Sequence, residues 1–126
     1  MGFAAGRRGS AVAPPTIGDI TIYLAQESVD FRLGINGLSV LVEATLRFDP
    51  FSRNLFCFTN RRRNQIKVLY WQRSGFCLWQ KRLEEDRFPW PKEVGPARSI
   101  TTEQLGLLLE GIDFWRAHPR REYRNL

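Results

Sequence analysis

Three consecutive arginines, Arg61, Arg62 and Arg63, lie in a polar joint between two strand-like runs, FCF and IKVLYW. A turn between strands does not need this charge in order to fold. The guanidinium group is a planar fork of hydrogen-bond donors that matches phosphate oxygens and base edges. We therefore interpret the three arginines as the tip of a hairpin that contacts phosphates.

The strands that follow this tip carry further cations and several aromatic rings. Cations contact the phosphates of a nucleic acid, while rings or guanidinium groups stack on its bases or line a groove. Core packing is the simpler explanation for at least one of Trp71 and Trp79. The candidate nucleic-acid-binding residues of this basic, aromatic hairpin are Arg61, Arg62, Arg63, Lys67, Arg73, Lys81, Arg82 and Arg87.

The register of the hairpin depends on the length of its loop. A three-residue loop with Gly75 in the left-handed conformation pairs Lys67 with Lys81. A two-residue loop is predicted to set Lys67 opposite Arg82 instead. In either register two cations face each other, and a bridging anion would relieve their repulsion. Splaying of both side chains into water is the alternative.

The faces of the hairpin follow from the three-residue loop, because directly paired residues share a face. One face is predicted to be cationic and aromatic, with Lys67, Trp71, Trp79 and Lys81. The opposite face is predicted to be buried, with Val68, Tyr70, Phe76 and Leu78.

The composition agrees with a polyanionic partner. The net charge is +6, the isoelectric point is near 10, and sixteen arginines stand against three lysines. The cations cluster between Arg53 and Arg87 and again after Arg116, and such clustering marks an electrostatic footprint. We expect nucleic-acid contact from this distribution.

A chain of 126 residues is long enough for one modest core. We predict a flexible basic arm over residues 1–15, a single domain over 16–115 and an Arg-rich tail over 116–126. No apolar run reaches the length of a membrane span, and Cys57 and Cys77 resemble buried thiols of a reducing compartment. A cytoplasmic protein is expected.

The hydrophobic pattern predicts an α+β fold. Strands are indicated over residues 20–25, 55–59, 66–72 and 76–83, and helices over 31–48 and 100–112. Asp30 is a plausible N-cap of the first helix, and Thr101 or Thr102 of the second. We predict a small antiparallel sheet of about four or five strands with two main helices packed on one face.

No catalytic set is indicated. The single histidine, His118, lies in the Arg-rich tail, and neither a zinc-site spacing nor a Gly-x-Ser-x-Gly sequence occurs. Glu110 and Asp113 are better explained as a solvated helix end than as a metal pair. We expect no enzymatic activity, no cofactor and no small-molecule substrate.

Four segments resemble a known family: VDFRLGINGLSVLV at 29–42, DPFSRNLFCF at 49–58, KVLYWQRSGFCLWQKRLEEDRFPWP at 67–91 and ITTEQLGLLLEGID at 100–113. The chain resembles the Orf2-like accessory proteins, also called TnpB, of the sixty-six family of insertion sequences. These are distinct from the RNA-guided nuclease that shares the name TnpB. The resemblance covers roughly residues 20–115.

The resemblance implies an accessory protein needed for efficient transposition and encoded beside a separate transposase that carries the catalytic residues. It adds Arg32 to the candidate nucleic-acid-binding residues. The sequence departs from the family pattern at Leu33, where lysine is usual.

Two functions from different classes follow. The first is a non-catalytic factor that binds DNA at transposon ends through the hairpin face and the Arg-rich tail. The second is a protein-interaction subunit that docks on the transposase without binding DNA. Its partner-binding anchors would be Trp71, Trp79 and Trp90, because Trp and Arg are also favoured at protein interfaces. Single-stranded nucleic acid on exposed rings is a third possibility.

Overall fold

A computed structural model describes residues 20–92 and 95–115, and the predicted arm and tail lie outside these residues. The described part forms a five-stranded mixed sheet with two helices, so the predicted α+β class is confirmed. The strands are β1 (Ile22–Ala25), β2 (Leu55–Thr59), β3 (Gln65–Gln72), β4 (Gly75–Arg82) and β5 (Ala97–Ile100). The helices are α1 (Ile35–Leu41), which continues as a π-helical turn over Val42–Leu46, and α2 (Thr102–Leu109).

The strand order is β4-β3-β2-β1-β5, and one of the pairings is parallel. β1 and β2 run in the same direction, with Ile22 opposite Leu55, whereas the other three pairings are antiparallel. The prediction of a wholly antiparallel sheet is therefore wrong at this pair. A parallel pair needs a long crossover connection, and the segment that contains α1 provides it.

The two helices cover opposite faces of the sheet. Phe56 and Cys57 are neighbours in β2, so their side chains point to opposite faces. Leu38 of α1 packs in the cluster that contains Phe56, and Leu108 of α2 packs in the cluster that contains Cys57. The prediction that both helices share one face is wrong. β2 is apolar at successive positions, so each of its faces must be covered.

The β3–β4 hairpin has a two-residue loop, with Gln72 opposite Gly75. Arg73, rather than Gly75, takes the left-handed conformation, with φ 57°. This register pairs Lys67 with Gln80, so neither predicted pair of facing cations forms. The predicted registers are therefore wrong, because the loop consists of Arg73 and Ser74 alone and Gly75 already belongs to β4.

The observed register divides the hairpin residues between the two faces of the sheet. Lys67 and Trp71 lie on the face that α1 covers, and Trp79 and Lys81 lie on the face that α2 covers. The predicted buried set is divided in the same way, with Val68 and Tyr70 on the α2 face and Phe76 and Leu78 on the α1 face. The single cationic and aromatic face predicted for the hairpin therefore does not form.

The helix ends differ in how well the sequence indicates them. Thr101 caps α2 as predicted, in a capping box with Gln104, whose backbone amide donates to the Thr101 hydroxyl at 3.0 Å. α1 begins later than predicted, with Gly34 as its N-cap, and Asp30 caps no helix. Ile100, predicted as helical, belongs to β5. No helix within the described residues is long and apolar enough to cross a membrane.

Candidate nucleic-acid interface

The β2–β3 turn holds the three arginines in a defined conformation. The Arg63 amide donates to the Asn60 carbonyl at 3.0 Å, and Arg63 takes the left-handed conformation with φ 61°. The Asn60 side-chain oxygen accepts hydrogen bonds from the amides of Asn64 and Gln65, each at 3.1 Å. Asparagine side chains commonly stabilise turns in this way. Asn60 was not among the candidate residues, although an asparagine at each end of the joint indicates a turn of this kind.

A second segment, residues 83–88 after β4, is joined to this turn by hydrogen bonds. The Leu83 amide donates to the Asn64 carbonyl at 2.8 Å, and the Phe88 amide donates to the Arg63 carbonyl at 2.7 Å. The Phe88 side chain is buried in the core on the α2 face. These contacts bring Arg87, which is exposed, beside Arg63.

The turn and the second segment together form what we call the basic end of the sheet, defined by Arg61, Arg62, Arg63, Arg82 and Arg87. Four of these arginines are exposed and Arg63 is half-buried. The connection after β4 also carries the exposed carboxylates Glu84, Glu85 and Asp86. The five arginines thus exceed the three carboxylates by two formal charges.

Arg82 contacts one of these carboxylates. Its guanidinium group donates to the Glu84 carboxylate at 3.2 Å, and both side chains are largely exposed. Exposed ion pairs contribute little to stability because water screens them. Arg82 can therefore exchange Glu84 for a phosphate at small cost.

Lys67 lies in the interior and not at the surface. Its Nζ atom donates to the carbonyls of Phe31 and Leu33, each at 2.8 Å, and lies 4.7 Å from the centroid of the Phe31 ring. The residue is 6% exposed, and burial lowers the pKa of its ammonium group. Lys67 thus stabilises the segment before α1 and does not lie at the surface.

Lys81 also contacts the protein itself. Its Nζ atom donates to the carbonyl of Leu109 at 2.8 Å, at the C-terminal end of α2. A cation is favourable there because the last carbonyls of a helix have no helical partner. The half-buried Lys81 therefore joins β4 to α2.

Arg73 lies at the opposite end of the sheet from the basic end. It occupies the β3–β4 loop, and the eight residues of β3 separate that loop from the β2–β3 turn. A strand of this length spans about 25 Å at roughly 3.3 Å per residue. The structure therefore does not bring Arg73 together with Arg61, Arg62 and Arg63.

Arg32 lies near the basic end, on the side of α1. Its segment runs beside the end of β2, where the Val29 amide donates to the Thr59 carbonyl at 2.9 Å. Arg32 is exposed and donates to both oxygens of Asp30, at 2.7 Å to Oδ2. The side-chain hydrogen bond from Arg32 lowers the pKa of Asp30 to about 2.

The three tryptophans predicted as partner-binding anchors do not share a surface. Trp90 is 4% exposed, and its Nε1 atom donates to the Ala25 carbonyl at 2.8 Å. Trp79 is 42% exposed on the α2 face. Trp71 is half-buried on the α1 face, where its ring lies 5.0 Å from that of Phe51.

A shallow cleft of about 370 Å³ opens beside the basic end. Its lining includes cations from two parts of the chain, Arg63 from the β2–β3 turn and Arg87 and Lys92 from the connection after β4, together with the carboxylate of Asp113. The remaining lining residues are Phe88, Pro89, Trp90, Pro91 and Trp115. Lys92 was not a sequence candidate, because nothing in the sequence indicates its approach to Arg63.

Residues 20–92 and 95–115 give little support for a metal site or for a reactive cysteine. No group of three or more His, Cys, Asp and Glu side chains there is arranged to hold a metal ion. Cys57 is buried, and burial raises the pKa of its thiol to about 12. Cys77 is half-buried, and neither cysteine forms a disulfide.

The fold and the basic end together define a small α+β protein with an arginine-rich surface at one end of its sheet. Residues 20–119 match the family described as IS66 Orf2-like protein. The chain belongs to this family of insertion-sequence accessory proteins, and the membership implies a role in IS66 transposition.

Two relatives from Sinorhizobium fredii are similar over most of their length. The uncharacterized protein y4hO is 37% identical over 110 residues, which cover 87% of this chain and 94% of y4hO. The uncharacterized protein y4jC is 36% identical over 97 residues, which cover 77% of this chain and 83% of y4jC. No solved structure matches the chain.

Proposed function

We propose that this protein is a non-catalytic accessory factor of IS66 transposition that binds DNA at the transposon ends through the basic end of its sheet. The observation that carries the proposal is the hydrogen bond from the Phe88 amide to the Arg63 carbonyl. It places Arg87 beside a turn that already carries three arginines. The family membership supplies the biological setting.

The chemistry of the basic end suits the phosphate backbone of DNA. Each guanidinium group can donate two parallel hydrogen bonds to one phosphate, and phosphate contacts position a protein on a duplex. The turn is held by backbone and asparagine hydrogen bonds, so little order has to be gained on binding. Arg32, on the neighbouring surface, is a further candidate contact.

The interface differs from the one that the hairpin pattern suggests. The hairpin residues are divided between two covered faces, and Lys67 and Lys81 donate to backbone carbonyls. The proposed contact therefore uses the end of the sheet, with Arg61, Arg62, Arg63, Arg82 and Arg87, and not a face of the β3–β4 ribbon.

Binding to labelled transposon-end duplex and to scrambled duplex across a salt series tests the proposal. We expect steeply salt-dependent binding, because each phosphate contact releases counterions. The double variant Arg61→Ala/Arg62→Ala should bind more weakly, and its log–log salt slope should flatten by up to about 0.9 for each lost contact.

The matched control is Arg53→Ala/Arg73→Ala. It removes the same charge from two exposed arginines near the opposite end of the sheet. Its salt slope should stay close to that of the wild type. Equal losses in both variants would assign binding to net charge alone, and no binding by the folded wild type at low salt would exclude the DNA function.

A second candidate function is docking on the transposase, and an aromatic cluster at the opposite end of the sheet favours it. Phe51, Trp71 and Phe76 have ring centroids 5.0 to 5.3 Å apart, and Phe51 is 57% exposed. Clustered aromatic residues are common anchors at protein interfaces. Retention of the purified transposase by the wild type, with loss in Phe51→Ala, would support docking. Equal retention of the transposase by the wild type and by Phe51→Ala would show that this cluster is not the docking site.

A further inference from the structure

The outer edge of β4 is the longer of the two edges of the sheet. Within the described residues β4 pairs with β3 alone, and β5 is the other edge strand. β4 has eight residues, each paired with one residue of β3, whereas β5 has four. Natural proteins commonly protect an edge by a proline, a bulge or a short strand. β4 has none of these, since Gly75–Arg82 contains no proline and its register is uninterrupted.

The hydrogen bonds of β4 show which of its backbone groups point outward. The Leu83 amide, directly after β4, donates to the Asn64 carbonyl at 2.8 Å. Hydrogen-bonded and non-hydrogen-bonded pairs alternate along an antiparallel ladder, so the odd-numbered residues from Gly75 to Lys81 bond to β3. The amides and carbonyls that point to the free edge are those of Phe76, Leu78, Gln80 and Arg82. No backbone hydrogen bond from another segment of residues 20–92 and 95–115 reaches these outward groups.

The side chains along this edge are apolar at four successive positions, FCLW at 76–79. Trp79 is 42% exposed, and the other three side chains are half-buried. A long, regular and apolar edge gains from an added strand, because its outward amides and carbonyls find partners and its apolar surface leaves water. The free edge of β4 is therefore a docking site for an extended strand.

β4 is complementary to a second copy of itself when the two strands run antiparallel. A twofold axis at Trp79 aligns residues 76–82 of one copy with residues 82–76 of the other. The outward groups of Leu78 then lie opposite those of Gln80 of the second copy, and such a pair exchanges two hydrogen bonds. The two Trp79 residues form a non-hydrogen-bonded pair, in which side chains approach most closely. Their rings can pack on each other across the axis.

The charges of β4 also suit antiparallel pairing with itself. Lys81 lies opposite Cys77 of the second copy, and Arg82 lies opposite Phe76, whose ring can accept a guanidinium group. The two Arg82 residues lie at opposite ends of the paired strands, roughly 20 Å apart at about 3.4 Å per residue. No cation of one strand therefore faces a cation of the other, which would be destabilising.

We propose that two copies of this chain pair antiparallel along β4, about a twofold axis at Trp79, and join the five strands of each copy into one continuous sheet. Both copies use the same edge, so the assembly closes at the dimer. The two basic ends lie at opposite ends of the paired strands. The inference goes beyond the proposed function and holds whether or not the basic end binds DNA.

Sedimentation velocity of the full chain over a concentration series tests the dimer. The wild type should pass from 14.7 kDa to twice this mass as its concentration rises through about 10 µM, because extension of a sheet buries a small surface. Gln80→Pro removes an outward amide but no hydrogen bond to β3, and proline is tolerated at such edge positions. The dissociation constant of its dimer should rise at least about tenfold, because the axis repeats the loss in both copies.

Gln80→Ala is the matched control. It loses the same side-chain hydrogen bond to Gln65 as the proline variant but keeps the outward amide, so it should dimerise like the wild type. Circular dichroism checks that both variants fold. A folded wild type that stays monomeric up to about 1 mM would overturn the proposal. Equal dimerisation by the wild type and a folded Gln80→Pro variant would also overturn it.

The position of the axis has a test of its own that needs no proline. Trp79→Cys in a Cys77→Ser background should form an intermolecular disulfide on oxidation, because the Cα atoms of a non-hydrogen-bonded pair lie about 4.5 Å apart, within reach of a disulfide. Arg82→Cys in the same background should stay unlinked, because its two copies lie at opposite ends of the paired strands. Failure of Trp79→Cys to cross-link, or equal cross-linking of both variants, would overturn the proposed pairing.

Discussion

The Phe88 amide donates a 2.7 Å hydrogen bond to the carbonyl of Arg63, and this bond joins the arginine turn to a segment that follows β4. The Phe88 side chain is buried under α2 while its neighbour Arg87 is exposed. One backbone contact therefore couples the hydrophobic core to the charged surface. The arginine turn takes part in the fold and is not a free tip.

The shape of the turn should matter for binding as much as its charge. Asn60→Ala removes two acceptor contacts to backbone amides and one donor contact, at 2.7 Å, to the Asn64 side chain. We expect the free energy of unfolding to fall by about 1–2 kcal/mol. DNA affinity should also fall, although no charge changes. Denaturant unfolding and fluorescence anisotropy measure the two effects.

The control for this variant is Asn36→Ala, which changes an exposed asparagine of α1. Its stability and DNA affinity should stay near those of the wild type. Wild-type affinity in Asn60→Ala would show that the arginines bind without a preformed turn.

Lys67 should contribute to stability and not to DNA binding. Lys67→Ala leaves the carbonyls of Phe31 and Leu33 without their donor and removes a buried aliphatic stem. We expect the free energy of unfolding to fall by about 2–4 kcal/mol. Arg61→Ala, at an exposed position, should change it by less than about 0.5 kcal/mol. A stable Lys67→Ala variant with weakened DNA binding would contradict this assignment.

Substitution by phenylalanine should lower the stability of the protein at Trp90 but leave it nearly unchanged at Trp79. Trp90→Phe removes the indole donor from the Ala25 carbonyl inside the core, so the free energy of unfolding should fall by about 1–3 kcal/mol. Trp79→Phe changes a side chain that is 42% exposed and should alter it by less than about 0.5 kcal/mol. Thermal unfolding of both variants measures these changes. Equal losses of stability in the two variants would mean that Trp79 also packs in the core.

Asp30 and Arg32 predict a dependence of stability on acid pH. The folded-state pKa of Asp30, about 2, lies below its ordinary value of 3.8. The carboxylate therefore stabilises the fold above pH 3.8, and this contribution is lost as the pH falls from 3.8 to about 2. The difference in unfolding free energy between the wild type and Asp30→Asn should narrow over this window.

The partner variant checks the cause of this dependence. Arg32→Ala should show the same narrowing relative to the wild type, because the side-chain hydrogen bond from Arg32 is the largest cause of the lowered pKa. If the difference in unfolding free energy between the wild type and either variant stays constant over this pH range, the ion pair is not the cause of the acid dependence.

The sequence alone determined most of the strands and helices, but not β5, and it determined the family of the protein. Runs of apolar residues gave β2, β3 and β4 close to their observed bounds, and Thr101 was one of the two residues expected to cap α2. Local patterns suffice there because strand alternation and caps depend on near neighbours. The arginine content and the family segments also indicated the class of protein, because both can be read directly from the amino-acid sequence.

The tertiary structure alone decided which of these residues meet. A shift of one residue in the β3–β4 loop moves alternate side chains to opposite faces, and this shift separated Trp71 from Trp79. The burial of Lys67 and Trp90 depends on carbonyls that lie far away in the sequence, at Phe31, Leu33 and Ala25. The approach of Arg87 and Lys92 to Arg63 likewise arises only when the segment after β4 folds against the turn. Such contacts are set by packing across the sheet, and no local pattern encodes them.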